Sequence, residues 1–162
     1  RKIEKFYAYR DFEIYDEQMN LCAIATSKWL LVNSKTGKIS RVDSEMAEKY
    51  QSESDKSVFG NEEITKMNIP ENFENKIIYQ VQRRDIDVIG HMHNLYYLDI
   101  AYEALPKEIY EKRPFDNVRI MYKKETKLGE KVVGKYSNVE GKNVVVIQSE
   151  DEKVLHSIIE VY

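Results

Sequence analysis

The hydrophobic and polar positions in the first third of the chain predict a long β-hairpin. Residues 3–15 alternate between apolar and polar side chains, which is typical of a half-buried strand. A polar turn at 16–20 follows, and residues 21–32 then form a second strand rich in β-branched and aromatic residues around Trp29. The apolar face of the first strand holds Phe6, Ala8, Phe12 and Ile14.

A polar stretch separates this hairpin from the rest of the chain. Asp43 is placed to cap a short helix that runs through Glu48. Residues 51–75 are then polar, with Gly60, Pro70 and several asparagines and serines, so we expect a linker there.

The second part of the chain predicts an antiparallel sheet with one helix. Residues 76–86 alternate as a strand, and residues 94–105 form a helix that Pro106 ends. Four further strands are expected at residues 115–126, 131–139, 143–149 and 154–161. The order of one strand, one helix and four strands with tight connections indicates an α+β fold.

The predicted helix is apolar on nearly every side. Asp99 and Glu103, four residues apart, form its one narrow polar edge. A helix on the outside of a sheet would carry a broad polar face, so this pattern predicts an enclosed helix. A strongly curved antiparallel β-sheet wrapped around a central helix is the hotdog fold.

Composition and charge exclude several kinds of protein. The 162 residues include 42% hydrophobic and 33% charged side chains, with a net charge of −3, so nucleic-acid binding is not expected. Neither a membrane-spanning segment nor a signal peptide is visible. The single cysteine, Cys22, excludes an intrachain disulfide and suits a reducing cytoplasm. Because Cys22 lies in an apolar run, we expect a buried, inert thiol.

The segment between the first strand of this sheet and the helix gathers titratable groups. It includes Asp87, Gly90 and two histidines, His91 and His93, immediately before the helix. Backbone amides at a helix start can donate to a developing anion, and a histidine can accept a proton near neutral pH. This turn is therefore a candidate site for polarising a carbonyl and holding a water molecule.

Three motifs resemble those of the acyl-acyl carrier protein (acyl-ACP) thioesterases of bacteria and plants. Residues 85–94 resemble the family's Asp-Leu-Asp-x-Asn-x-His-Val-Asn-Asn stretch before its second hotdog helix. Residues 122–126 resemble its Tyr-Arg-Arg-Glu-Cys segment, and residues 26–32 resemble its Thr-Ser-Lys-Trp strand. The resemblance spans nearly the whole chain.

The resemblance implies an organisation into two hotdog units. Residues 1–50 would be the C-terminal part of a first unit, 51–75 a linker and 76–162 a complete second unit. Since no helix comparable to residues 94–105 occurs in the first part, we expect further sequence, with the first central helix, before Arg1. A single unit alone would expose apolar surface, so a homodimer is the expectation if that sequence is absent.

The resemblance also implies roles for individual residues. Asp87, His91 and Glu125 would be catalytic, with Glu125 or His91 activating water. The substrate-binding positions would be Ile89, Gly90, Met92, His93 and Asn94. Ordinary structural roles remain open: a hydrogen-bonded turn histidine for His91, a turn-initiating residue for Asp87 and a solvated carboxylate for Glu125.

Two positions depart from the family pattern. Ile89 stands where the family has an asparagine that could orient water or substrate, and Thr126 stands where the plant enzymes have a cysteine. Strict alternation also places Glu125 on the face of Met121 and Lys123, although a bulge at the strand end would change its direction.

The resemblance implies a thioester hydrolase that releases free fatty acid from acyl-ACP, without a cofactor. An acyl-CoA thioesterase and a catalytically weak acyl-thioester-binding module remain alternatives. His91 and His93 alone are too sparse for a metal site. Acyl carrier protein, which is acidic, would dock on basic residues near the site. The candidates are Arg83, Arg84, Lys112, Arg113, Lys123 and Lys124.

Overall fold

The structure is a computed structural model that describes residues 1–53, 55–60 and 62–162. Two units are distinguished, Arg1–Thr65 and Lys66–Tyr162. They are described separately below.

The first unit is a three-stranded antiparallel sheet. Its strands are β1 (Lys2–Glu4), β2 (Tyr7–Tyr15) and β3 (Leu21–Leu30), in that order. The hairpin of β2 and β3 is confirmed, but the single first strand predicted for residues 3–15 is wrong. Lys5 takes a left-handed φ of 47° and turns the chain between β1 and β2, which then pair with each other.

Cys22 is exposed, which corrects the expectation of a buried thiol. None of the described residues of this unit is buried, so the apolar run around Cys22 does not enclose its side chain. The predicted short helix is present as α1 (Ser44–Lys49). As expected, the side chain of Asp43 caps it by accepting the Met46 N–H at 2.7 Å.

The second unit is a five-stranded antiparallel sheet with one long helix. The strand order is β4-β6-β7-β8-β5. The strands are β4 (Asn75–Gln80), β5 (Val118–Tyr122), β6 (Lys131–Val139), β7 (Lys142–Ser149) and β8 (Leu155–Val161). Along the chain, the long helix lies between β4 and β5, so the elements follow the order predicted for the hotdog unit.

Helix α2 (Asn94–Ala104) packs across one face of this sheet, and the four-residue helix α3 (Lys107–Tyr110) follows it. Gly134 in β6 lies under the helix: a Cβ there would be in ordinary contact with Ile100 and Ala104 of α2, at 3.4 and 3.5 Å, and tighter, at 3.2 Å, against Ile77 of β4. The apolar pattern predicted that the helix is enclosed on every side, but the structure leaves part of it exposed. Leu95 in its first turn remains 66% exposed.

Two predicted strands are shorter than expected. The strand predicted for 76–86 ends at Gln80, and a 3-10 helix (Arg83–Asp85) follows. The buried Asp85 carboxylate stabilises this change of direction, since it accepts the Tyr79 hydroxyl at 2.6 Å and the Gln82 N–H at 2.8 Å. The strand predicted for 115–126 is limited to β5.

The end of the predicted linker packs against the second unit. Met67 is 3% exposed and, with Phe73, contacts the sheet face opposite α2, where Val144, Val146 and Ile158 are buried. Residues 66–75 are therefore part of the second unit's packing rather than a free connection.

Across the described residues, no helix is long and apolar enough to cross a membrane.

Candidate active site

A cavity of about 400 Å³ lies at the N-terminal end of α2. Three segments border it: the turn of residues 87–93, called the site turn below, the start of α2, and the chain that follows β5. The lining residues are Asp87, Ile89, His91, Met92, His93, Asn94, Tyr97, Tyr122, Lys123, Lys124 and Glu125. All three predicted catalytic residues and four of the five predicted substrate-binding residues are among them; Gly90 is not.

Asp87 organises the site turn. Its Oδ1 accepts the N–H of Ile89 at 2.8 Å and of His91 at 3.3 Å, while its carbonyl accepts the Gly90 N–H. Desolvation raises the pKa of the Asp87 carboxyl, but hydrogen bonds from these backbone N–H groups outweigh it and hold the pKa below its ordinary value. Asp87 is therefore an ionised group that fixes the turn.

Most backbone amides of the site turn are not free, which corrects the expectation that the amides of this turn can donate to a developing anion. The Met92 N–H donates to the Thr126 carbonyl and the His93 N–H to the Asp85 carbonyl, each at 2.8 Å. His93 is the N-cap of α2, and its Nδ1 accepts the Leu95 N–H at 3.2 Å. The Asn94 N–H has no acceptor among the described residues, so it is the open donor at this helix end.

A β-bulge directs Glu125 toward the cavity. Beyond the pairing of Tyr122 with Ser157, the N–H groups of Lys123 and Lys124 both point at the His156 carbonyl, at 2.8 and 3.4 Å. Two residues thus oppose one, and alternation is interrupted. The placement of Glu125 with Met121, expected from strict alternation, is wrong: Met121 packs on the far sheet face, whereas Glu125 borders the cavity.

Hydrogen bonds join the segment around Glu125 to α2 on both sides of that residue. Before it, the Tyr122 hydroxyl donates to the Asn94 carbonyl at 3.0 Å. After it, the Thr126 hydroxyl is 2.9 Å from the Tyr97 hydroxyl. Burial together with neighbouring Tyr97 raises the pKa of Tyr122 to about 12, so its hydroxyl stays a neutral donor.

The remaining polar side chains around the cavity are uncommitted. Within the described residues, the His91 imidazole, the Asn94 side-chain amide and the Glu125 carboxylate have no hydrogen-bond partner. The structure thus divides the candidate residues into two groups. Asp87 and His93 use their side chains to hold the backbone, whereas His91, Asn94 and Glu125 keep theirs available.

The chain matches family models along both units. Residues 68–161 match the acyl-ACP thioesterase C-terminal domain, and residues 1–50 match the N-terminal domain. The chain belongs to the acyl-ACP thioesterase family.

A curated relative of this thioesterase-family chain is the chloroplastic oleoyl-acyl carrier protein thioesterase of Coriandrum sativum. It is 24% identical over 113 residues, which cover 62% of this chain and 30% of the relative. The chain therefore spans about a third of that relative's length.

Solved structures of similar proteins share the fold. A protein assigned as an oleoyl thioesterase from Lactobacillus plantarum is 26% identical, with a TM-score of 0.73 over 97% of this chain and 62% of that one. The 12:0-ACP thioesterase from Umbellularia californica is 16% identical, with a TM-score of 0.77 over 97% and 62%. The hotdog fold predicted for this acyl-ACP thioesterase family member is confirmed.

The two departures from the family motifs have different environments. Ile89 is 75% exposed at the edge of the cavity and offers only its backbone N–H, which Asp87 accepts. Thr126 is fully buried. Its hydroxyl lies against Tyr97, and neither residue was among the predicted site residues. A buried tyrosine needs a hydrogen-bond partner, so the tyrosine within the apolar helix pattern was the available signal.

The six candidate docking residues do not form one patch. Lys123 and Lys124 line the cavity, and Arg83 and Arg84 lie in the 3-10 helix that comes shortly before the site turn. Arg113 instead lies at the other end of α2, with its guanidinium 6.0 Å from the centre of the Tyr102 ring. Lys112 and Arg113 are therefore removed from the basic group near the site.

The described residues contain no cluster of three or more metal-ligating side chains.

Proposed function

We propose that the protein containing this chain hydrolyses fatty acyl-ACP thioesters by direct attack of water. The observation that supports this most is the cavity in which His91, Asn94 and Glu125 border one space with uncommitted polar groups. A thioester carbonyl is electrophilic and its thiolate is a good leaving group. Hydrolysis then needs a positioned water, a base and a donor for the developing oxyanion.

Each requirement has a candidate group in the cavity. Glu125 is the preferred base, because its carboxylate borders the cavity, has no hydrogen-bond partner among the described residues and can accept a proton from water. His91 would hydrogen-bond the same water and orient it. The Asn94 N–H, the open donor at the start of α2, would bind the oxyanion. The proton taken by Glu125 then passes to the departing thiolate.

The remaining predicted site residues would support these groups. Asp87 would hold the site turn, and His93 would cap the helix that carries Asn94. Gly90, with a φ of 89°, gives the turn its left-handed step, and a side chain there would be strained. Met92, 3% exposed, would fix the turn in the core.

Acyl carrier protein is the proposed partner. Arg83, Arg84, Lys123 and Lys124 are exposed beside or within the cavity and would face the acidic carrier. A cytoplasmic location and pairing into a homodimer belong to the same proposal. Light scattering of the purified protein tests the pairing.

Release of the carrier thiol, followed with a chromogenic thiol trap, tests the activity. Hydrolysis of acyl-ACP above the background rate, with a large loss in His91→Ala, would support the proposal. Unchanged turnover in His91→Ala would remove that residue from the reaction. If His91→Ala costs more than Glu125→Gln, the two roles are reversed.

Ile89 favours a second candidate function. An aliphatic side chain where the family has an amide suits a protein that binds acyl thioesters but hydrolyses them weakly. Binding of acyl-ACP without thiol release would favour this module. A competition assay with acyl-CoA separates the carrier substrate from a coenzyme A substrate.

A further inference from the structure

We propose that Thr126 is a positioning residue that sets the direction of Glu125 through its hydrogen bond to Tyr97. This inference rests on the proposed function, since it treats Glu125 as the base. Thr126 does not line the cavity, and it is fully buried. It therefore acts on the reaction only through its neighbours.

Thr126 makes two contacts with the opposite side of the cavity. Its carbonyl accepts the Met92 N–H at 2.8 Å, which joins it to the site turn. Its hydroxyl lies 2.9 Å from the hydroxyl of Tyr97, which is itself 2% exposed in the first half of α2. One residue thus connects the strand-end segment both to the turn that bears His91 and to the helix.

The position of Glu125 makes this connection important. Glu125 is exposed and has no partner among the described residues, so its own contacts do not fix it. The chain that carries it has left the regular ladder of β5 at the bulge. The nearest fixed point after Glu125 is Thr126, one residue away. A shift of the Thr126 backbone would therefore move Glu125 relative to His91.

A hydroxyl at position 126 is required for the bond to Tyr97. Valine has nearly the shape of threonine but lacks the hydroxyl that lies 2.9 Å from the Tyr97 hydroxyl. In this buried environment, Tyr97 would keep only its interaction with the backbone of residue 126. Serine would keep the hydroxyl and lose only a methyl group. The pair Thr126→Val and Thr126→Ser therefore separates the hydrogen bond from the packing.

The first experiment measures kcat and KM for acyl-ACP hydrolysis. We expect Thr126→Val to lower kcat by roughly 10- to 100-fold with little change in KM. Thr126→Ser should stay within about threefold of the unchanged protein. Tyr97→Phe should reproduce the loss. As a control, Tyr136→Phe removes another buried hydroxyl, bonded to Asn143 at 3.1 Å, near the other end of α2, and should leave kcat unchanged.

A double substitution distinguishes positioning from general destabilisation. If Thr126 acts through Glu125, Thr126→Val should cost almost nothing further when Glu125 is already glutamine. Equal losses in both backgrounds would overturn the proposal, and so would a Thr126→Val protein with unchanged kcat.

Hydrogen exchange of the Met92 amide tests the connection without relying on catalysis. We expect exchange to be about tenfold faster in Thr126→Val than in Thr126→Ser, because loss of the Tyr97 bond loosens the contact to the site turn. Equal exchange rates would overturn the proposal. If the unchanged protein hydrolyses no acyl thioester, the proposed function fails, and this measurement still decides whether Thr126 holds the segment.

Discussion

The two ends of helix α2 differ in what their polar groups do. At the Ala104 end, the side chain of Asn75 donates to the Ala104 carbonyl at 2.9 Å, and both Ala104 and Leu105 are buried. At the other end, Asn94 is exposed, and its side chain and its N–H have no partner among the described residues. The Asn75 side chain thus bonds a helix carbonyl within the fold, whereas Asn94 borders a cavity.

This difference shows which polar groups the fold uses and which it leaves accessible at the cavity. Exposed donors and acceptors without a protein partner can be hydrated, so they add no intramolecular hydrogen bond to the stability of the fold. At the Asn94 end, the structural bonds are made by neighbouring residues, Asp87, His93 and Thr126. The cavity residues are consequently held in place while their own side chains remain available.

Among changes at the Asn94 end of α2, replacement of the proposed base should have the largest effect. We expect Glu125→Gln to lower kcat by about 10²- to 10⁴-fold, since glutamine cannot accept the proton from water. Thiol release with acyl-ACP measures this. Glu103→Gln, an exposed change in the last turn of the same helix, is the control and should leave kcat unchanged. A Glu125→Gln protein with full activity would contradict the assignment.

Restoring the family's amide should have the opposite effect. We expect Ile89→Asn to raise kcat by roughly 10- to 100-fold, because an added polar contact worth about 1–3 kcal/mol would orient water or substrate. The same thiol-release assay applies. Val88→Asn provides a matched control, since Val88 is fully exposed and does not line the cavity. If both variants behave alike, the position of the amide has no special role.

The two asparagines provide a direct test of the comparison. Asn75→Ala should lower the free energy of unfolding by about 1–2 kcal/mol, because the Ala104 carbonyl loses its donor, and should leave kcat unchanged. Asn94→Ala keeps the backbone N–H and removes only the side-chain amide at the cavity. It should leave stability nearly unchanged and lower kcat/KM by about tenfold, because that amide would no longer be available to the substrate or the water. Urea unfolding and thiol release measure the two quantities. The comparison fails if the effects of the two changes are exchanged.

The charge of Asp87 should produce the smallest effect, measured as a change in how steeply stability falls with acid. Its pKa is lower in the folded protein than its ordinary value of 3.8, so the stability it contributes is complete above that pH. This contribution is lost as the pH falls through the lower, folded-state pKa. Urea unfolding between about pH 5 and about pH 2 should show a fall that is shallower in Asp87→Asn. Identical pH profiles would show that the turn does not depend on the carboxylate charge.

Regular elements were predictable where the local pattern was strong. The strand at 131–139 has the expected bounds, and the helix begins at Asn94 as expected and ends one residue earlier than predicted, because alternation and helical apolar spacing continue without interruption there. The ends of the strands were harder to predict from the sequence. The bonds of Asp85 that end β4 early and the bulge after β5 join residues from different elements, and a local pattern does not contain them.

The candidate site was predictable in composition but not in arrangement. The motifs identified His91, Asn94 and Glu125, and these residues do line one cavity; their roles remain predictions. Alternation alone placed Glu125 on the wrong sheet face. Tyr97 and Thr126, 29 residues apart, form a hydrogen bond that no spacing in the chain would reveal.

The sequence by itself determined the order of elements, the helix with its two histidines at the start, and the family. These follow from residue type and local periodicity, which act over a few positions. The tertiary structure decided which polar groups form hydrogen bonds within the fold and which remain available at the cavity. That choice depends on hydrogen bonds between distant segments, because a donor is free only when no acceptor from elsewhere in the chain reaches it.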